Sequence, residues 1–121
     1  MTAHEHAVSR YFAAWNAAPE DLEKAVADAF TETAPYTDPL VEVRGHQELA
    51  AVIAGAHEQF PGYEFRPLGT PDGHHDVVRF SWELVLPADG SAPVAGSDVI
   101  TLAEDGRITS VTGFLDRVPT A

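Results

Sequence analysis

The sequence of 121 residues contains no cysteine. This absence excludes disulfides, thiolate nucleophiles and zinc–thiolate sites. Basic residues are also scarce, because seven Lys and Arg stand against nineteen Asp and Glu, for a net charge of −12. Such a negative surface disfavours nucleic acid and anionic membranes as partners. A neutral small molecule is not repelled by it.

Long apolar runs are missing as well, since none approaches the roughly 18 residues that a membrane span needs. Residues 1–10 carry histidines and Glu5 where a secretory signal would have a basic patch and an apolar block. We therefore expect a cytoplasmic location. The length predicts a single domain, residues 1–121, large enough for one cavity at most.

The first half of the chain shows three segments with the spacing of amphipathic helices. The first covers residues 3–17 and carries an aromatic stripe that includes Tyr11 and Trp15. The second is expected to begin at Pro19, which suits a first helical turn, and to reach residue 30. The third covers residues 45–60 and is ended by the Pro-Gly pair that follows.

The remaining segments alternate as strands do. Short extended pieces at residues 34–38 and 41–43 precede the third helix, and four longer strands follow Gly62. The turns between these longer strands are expected at residues 69–73, 88–91 and 104–106. Helices that precede an antiparallel sheet indicate an α+β fold.

The segment Tyr36-Thr37-Asp38-Pro39-Leu40 places a carboxylate among apolar and aromatic residues. Pro39 holds Asp38 away from helical geometry and toward an extended one. An Asp in this setting is a candidate general base if later segments fold over it. The alternative is a turn residue whose carboxylate caps backbone amides, which is the commoner use of Asp before proline.

A second acid, Asp98, shares the parity of Val94 and Ile100 in its predicted strand. An acid on the apolar face of a strand is costly unless it is paired or protonated. It is therefore either a functional acid or a buried acid that a backbone or tyrosine donor holds for structure alone, and Tyr11 is a candidate donor. In the last strand, Gly113 removes a side chain where a ligand could approach closely.

The order of short motifs resembles the SnoaL-like branch of the nuclear transport factor 2-like superfamily. The motifs are Tyr11-Phe12-Ala13-Ala14-Trp15-Asn16, Tyr36-Thr37-Asp38-Pro39, Val43-Arg44-Gly45-His46, Phe60-Pro61-Gly62, Gly96-Ser97-Asp98, Asp105-Gly106-Arg107-Ile108 and Gly113-Phe114-Leu115-Asp116. The resemblance implies a curved antiparallel sheet that three helices from the N-terminal half wrap into a cone around an apolar cavity. It also implies a homodimer, which is common in the family.

Members of this superfamily include polyketide cyclases, ketosteroid isomerases, dehydratases and epoxide hydrolases. The ketosteroid isomerases have a general-base Asp in an Asp-Pro pair, an oxyanion-binding Tyr on the first helix and a protonated Asp on a strand. Asp38, Tyr11 and Asp98 match these three by residue type, so the resemblance implies that all three are catalytic. Epoxide hydrolases need an Asp-Arg-Asp cluster, and Arg79 lies opposite the apolar face of its strand, so this chemistry is less favoured.

Several large side chains are candidate substrate-binding residues. They are Trp15, Tyr36, Phe60, Trp82 and Leu115, and each either lines a cavity or fills a core. Tyr11 carries the same alternative, as a core aromatic. No metal or other cofactor is expected, because adjacent histidines such as His74 and His75 point to opposite faces of an extended segment.

The sequence thus predicts a cofactor-independent acid/base enzyme that acts on a small hydrophobic carbonyl compound, as an isomerase, cyclase or dehydratase. The alternative is a non-catalytic domain of the same fold that binds a small molecule or mediates dimerisation. No motif identifies the substrate.

Overall fold

The computed structural model describes residues 2–119, which form three helices and six strands. The helices are α1 (Ala3–Trp15), α2 (Leu22–Ala29) and α3 (His46–Gln59). The strands are β1 (Pro35–Thr37), β2 (Glu42–Arg44), β3 (Glu64–His74), β4 (Val77–Val85), β5 (Val94–Leu102) and β6 (Ile108–Arg117). This combination of helices and one sheet confirms the predicted α+β class. Within this range, no helix is both long and apolar enough to cross a membrane.

The helix boundaries follow local sequence signals. Thr2 begins α1 with a capping box, in which its hydroxyl accepts a hydrogen bond from the Glu5 amide and the Glu5 carboxylate accepts one from the Thr2 amide. The second helix was expected to start at Pro19, but residues 19–21 form a turn and α2 begins at Leu22. The apolar face of α2 lies in the core as predicted, because Val26 is fully buried.

The strands lie in the order β2-β1-β6-β5-β4-β3, so β2 and β3 form the two edges of one sheet. All pairs are antiparallel except β1 with β6, where Tyr36 pairs with Val111 in parallel. The sheet is therefore mixed, whereas the sequence predicted an antiparallel one. After α2 the chain runs beside the start of β6, where the Thr31 amide donates a hydrogen bond of 2.9 Å to the Ile108 carbonyl oxygen. It continues in the same direction into β1, which is therefore parallel to β6.

The third strand is longer than predicted. A turn was expected at residues 69–73, but β3 continues through them to His74, and the connection to β4 lies at residues 75–76. Leu68 pairs with Ser81 and Asp72 pairs with Arg79. Three residues of β3, 69–71, therefore stand opposite a single residue of β4, Phe80. The Gly and Pro residues of this segment thus form an irregularity within a strand pair and do not end the strand.

The core lies between the helices and one face of the sheet. Its largest fully buried side chains are Val26, Phe30, Leu49, Ile53, Val78, Ile100 and Ile108. Asp98 is buried in this core, with 3% of its surface exposed, and it is the one buried residue with an acidic or basic side chain other than tyrosine in the described chain. Its predicted position on the apolar face of β5 is therefore confirmed. A carboxyl group in such surroundings needs hydrogen-bond donors.

Candidate active site

A cavity of about 720 Å³ opens between α1, α3 and the inner face of the sheet. Its wall includes all five predicted substrate-binding residues, Trp15, Tyr36, Phe60, Trp82 and Leu115, together with Tyr11 and Asp38. The structure thus brings together residues from both ends of the chain. Their part in binding a substrate stays a prediction.

The rest of the wall is mainly apolar. The sequence did not predict the following apolar residues as part of a site, although they line the cavity: Leu40, Val41, Val43, Val52, Ala56, Phe65, Leu84, Val94 and Val118. Val52 and Ala56 repeat at helical spacing on α3, which indicated a buried face, but nothing in that spacing separates a cavity wall from a packed core. The charged side chains in the wall are those of Asp38 and Glu48, and its described residues include no Lys, Arg or His.

Asp98 lies behind the cavity wall. Its carboxylate Oδ2 accepts a hydrogen bond from the Tyr11 hydroxyl at 2.9 Å and another from the Trp82 indole Nε1 at 2.9 Å. Both donors are wall residues, whereas Asp98 itself does not contribute to the wall. Tyr11 is therefore confirmed as its hydrogen-bond partner. The Trp82 bond was missed, because it depends on the register that pairs Trp82 with Gly96, two residues before Asp98.

Asp38 is half-buried where the chain leaves β1. Its Oδ1 accepts hydrogen bonds from the backbone amides of Leu40 at 2.8 Å and Val41 at 3.0 Å. Its Oδ2 accepts one from the Tyr36 hydroxyl at 2.6 Å. The amide-capping geometry is thus present, and so is the cavity position that a base would need. The Tyr36 bond was not predicted, although residues two apart in a strand share a face.

Gly113 lies between the two acids. A Cβ atom at this position would come 2.5 Å from Asp98 Oδ1 and 3.3 Å from the Asp38 Cβ. The sequence predicted that the missing side chain leaves space for a ligand. That prediction is wrong for this structure, because the Asp98 carboxyl group occupies the space.

The histidines do not form a candidate metal centre. Within residues 2–119, no group of three or more His, Asp or Glu side chains is placed to hold a metal ion. The rings of His74 and His75 lie 5.8 Å apart, and the His75 carbonyl oxygen accepts a hydrogen bond from His4 Nε2 at 2.9 Å. The hydrogen bond from His4 attaches the start of α1 to the connection between β3 and β4.

A family model of the SnoaL-like domain matches residues 8–111. The chain belongs to the SnoaL-like domain family. A member from Agrobacterium tumefaciens str. C58, whose name suggests an isomerase, shares 45% sequence identity with this SnoaL-like domain. The match covers 96% of this chain and 99% of that one, with a TM-score of 0.88.

More distant structures share the fold. A protein from Jannaschia sp. CCS1, whose name suggests a SnoaL-like polyketide cyclase, is 20% identical, with a TM-score of 0.76 over 94% of this chain and 85% of that one. A SnoaL-like protein of unknown function from Burkholderia thailandensis E264 is 17% identical, with a TM-score of 0.73 over 95% and 98% of the two chains. No curated protein matches this SnoaL-like domain in sequence.

The electrostatics of this SnoaL-like domain centre on Asp98. Burial raises the pKa of its carboxyl group to about 7, and the charges of Asp38 and Asp116 act in the same direction. The hydrogen bonds from Tyr11 and Trp82 favour the charged form and lower this pKa, but the desolvation is larger. A carboxyl group with this pKa can both give and take a proton near neutral pH.

The two tyrosines beside the acids remain neutral donors. Burial, followed by the charge of Asp98, raises the pKa of the Tyr11 hydroxyl well above its ordinary value. Burial, followed by the hydrogen bond to Asp38, raises the pKa of Tyr36. The cavity of the SnoaL-like domain thus presents two neutral phenols and the half-buried carboxyl group of Asp38, with the carboxyl group of Asp98 directly behind Tyr11.

Proposed function

We propose that this SnoaL-like domain is a cofactor-independent acid/base enzyme that transfers a proton on a small hydrophobic carbonyl compound. The observation that carries the proposal is the buried hydrogen bond between Tyr11 and Asp98 behind the wall of an apolar cavity. This bond pairs a hydroxyl donor with a carboxyl group whose pKa is near neutrality. Asp38, on the same wall, supplies a separate candidate base.

The proposed reaction begins with a ligand whose carbonyl oxygen lies beside the Tyr11 hydroxyl. Asp38 takes a proton from the carbon next to that carbonyl, and the electrons of the C–H bond move to form an enolate. Tyr11 turns its hydroxyl from Asp98 Oδ2 to the enolate oxygen, and Asp98, protonated on its other oxygen, places no negative charge beside the enolate. A donor such as Tyr11 lowers the barrier by on the order of 3 kcal/mol. Returning the proton to another atom completes an isomerisation.

The charges of the cavity support a neutral substrate. Its wall carries the carboxylates of Asp38 and Glu48, and its described residues offer no cationic side chain. An anionic ligand would therefore lose hydration without gaining an opposite charge. Isomerisation, cyclisation and dehydration of a neutral carbonyl compound can all start from the same proton abstraction, so the proposal covers these three reaction types.

Exchange of carbon-bound hydrogen tests the proposal without knowledge of the final product. We would incubate the protein in D₂O with a panel of neutral cyclic ketones and follow their gain in mass. The wild-type protein should catalyse deuterium uptake next to the carbonyl of at least one ketone, and Asp38→Asn should abolish it. Asp72→Asn is the matched control, because Asp72 is exposed and pairs with Arg79 away from the cavity. Equal exchange in wild type and Asp38→Asn would refute the assignment of the base.

A second function is favoured by the three hydrogen bonds that Asp38 accepts, since this is also the arrangement of a purely structural acid. On this alternative, the domain binds a hydrophobic small molecule without reaction. A fluorescent apolar ligand would then bind wild type and Asp38→Asn with equal affinity. No ketone of the panel would exchange faster than in buffer.

The homodimer implied by the family remains a proposal. Val99 and Phe114 are exposed on the outer face of the sheet, with 36% and 55% of their surfaces accessible. Contact with a second copy would remove this apolar surface from water. Sedimentation equilibrium would give twice the chain mass for a dimer, and Phe114→Glu should shift the distribution toward the monomer.

A further inference from the structure

Trp82 contacts two parts of the site at once. Its half-buried indole belongs to the cavity wall, and its Nε1–H donates a hydrogen bond of 2.9 Å to Asp98 Oδ2. Trp15, the other tryptophan of the wall, has a buried Nε1 without a hydrogen-bond partner among the described residues. The two indoles therefore differ in the one contact that reaches a carboxyl group.

Gly96 makes the position of the Trp82 indole possible. Trp82 and Gly96 are direct partners in the pairing of β4 with β5. A Cβ atom at Gly96 would lie 2.7 Å from Trp82 Cε2 and 2.6 Å from the Phe114 carbonyl oxygen. Because the side chain is absent, the indole can lie over β5 and reach Asp98 two residues further along the strand.

Both hydrogen bonds that the structure gives the Asp98 carboxyl group within residues 2–119 end on Oδ2. Oδ1 faces the backbone of Gly113. An oxygen that accepts from two donors has no lone pair left for a proton in the carboxyl plane. The proton of neutral Asp98 is therefore expected on Oδ1. The other ionisable groups that act on this carboxyl are Tyr11, Asp38 and Asp116.

We propose that Trp82 is a positioning residue for Asp98. Together with Tyr11 it holds Oδ2 by two hydrogen bonds, and this leaves Oδ1 as the oxygen that takes up and releases the proton. The catalytic consequence rests on the proposed function, since it matters to turnover only if Asp98 supports the enolate. The hydrogen bond and the position of the proton can be tested without any substrate.

The first test follows the two indole N–H signals of the full chain by ¹H–¹⁵N NMR between about pH 5 and about pH 9. The Trp82 signal should move with the midpoint of the Asp98 carboxyl carbon, and the Trp15 signal should not. Asp98→Asn should remove the movement, because the amide still accepts the hydrogen bond but no longer titrates. A Trp82 signal that ignores the titration of Asp98 would overturn the proposal.

The second test removes the donor and keeps an aromatic ring. Trp82→Phe should raise the pKa of Asp98 by about one unit, since a hydrogen bond that favours the charged form is lost. Trp15→Phe is the matched control and should leave the pKa of Asp98 in place. An unchanged pKa of Asp98 in a folded Trp82→Phe protein contradicts the proposal. If that variant does not fold, the wild-type indole titration still decides.

Ketone exchange separates this inference from the proposed function. In Trp82→Phe, the pH dependence of exchange should shift with the pKa of Asp98 measured by NMR. If Asp38→Asn retains exchange while the Trp82 signal titrates with Asp98, the proposed function fails and the hydrogen-bonded position of Trp82 stands. If exchange requires Asp38 but the Trp82 signal does not titrate, the proposed function stands and the positioning role of Trp82 fails.

Discussion

Tyr11 and Asp98 are 87 positions apart in the chain, and a buried hydrogen bond of 2.9 Å joins the hydroxyl of one to the carboxylate of the other. The pair connects the first helix to a central strand, directly behind the cavity. The hydroxyl satisfies a buried acid, and the acid in turn orients a donor at the cavity wall. A single contact therefore bears on both the stability and the proposed chemistry.

Tyr11→Phe should separate these two contributions. Loss of the hydroxyl leaves Asp98 with the Trp82 donor alone, so we expect the free energy of unfolding to fall by about 1–3 kcal/mol. Ketone exchange should slow by about a hundredfold, the effect of losing one enolate donor. Urea unfolding and the deuterium assay measure the two effects. Tyr63→Phe is the control, because Tyr63 packs beside Phe60 outside the cavity wall. A Tyr11→Phe protein with wild-type exchange would contradict the role of the hydroxyl.

The raised pKa of Asp98 predicts how stability depends on pH. The folded chain holds this proton up to about pH 7, whereas an unfolded Asp loses it near pH 4. The folded state therefore binds more protons in this window, and the Asp98 contribution to stability falls as the pH rises through it. The contribution of Asp98 protonation to the free energy of unfolding is fully present below about pH 4 and is lost above about pH 7. The loss is on the order of 4 kcal/mol.

Urea unfolding of wild type and Asp98→Asn at several pH values checks this dependence. The Asn variant should become more stable relative to wild type as the pH rises from about 4 to about 7. These are the approximate pKa values of Asp98 in the unfolded and in the folded chain. Asp72→Asn serves as the control, because it replaces an exposed carboxyl group that pairs with Arg79 away from Asp98. A constant difference between wild type and Asp98→Asn would mean that the carboxyl titrates alike in the folded and unfolded chains.

Gly113→Ala should destabilise the protein by about 1–3 kcal/mol, because the added methyl group meets Asp98 Oδ1 at 2.5 Å and displaces the carboxyl from its donors. Gly55→Ala gives a contrast in the same protein. Gly55 lies within α3 with open space around its added methyl, so this change should stabilise the chain by up to about 1 kcal/mol. Thermal unfolding of both variants provides the measurement, and equal effects of the two would rule out the crowding argument.

Features that depend on local periodicity were predictable from the sequence. The helical spacing around Tyr11 placed it on a buried face, and the alternation around Asp98 placed it among apolar residues. The hydrogen bond from the Tyr11 hydroxyl to Asp98 was predictable because a buried carboxyl group requires a hydrogen-bond donor. These inferences needed only the geometry of single elements.

The remaining features depend on which strands become neighbours and in what register. The parallel pairing of β1 with β6, the Trp82 bond to Asp98 and the filled space over Gly113 all join segments distant in sequence. A glycine pattern alone cannot show whether a ligand or another side chain occupies the space it leaves. The continuation of β3 through residues 69–71 was missed for a related reason, since Gly and Pro residues mark an irregular strand as readily as a turn.

The Asp98 carboxyl also has a mechanical consequence. It receives one donor from α1 and another from β4 while belonging to β5, so three separately formed elements meet at a single atom. The first helix cannot slide along the sheet by even one residue without breaking this junction. The acid proposed to support proton transfer therefore also fixes the alignment of α1 with the sheet. A ligand that replaced one of its hydrogen-bond donors during turnover would loosen that alignment for as long as it is bound.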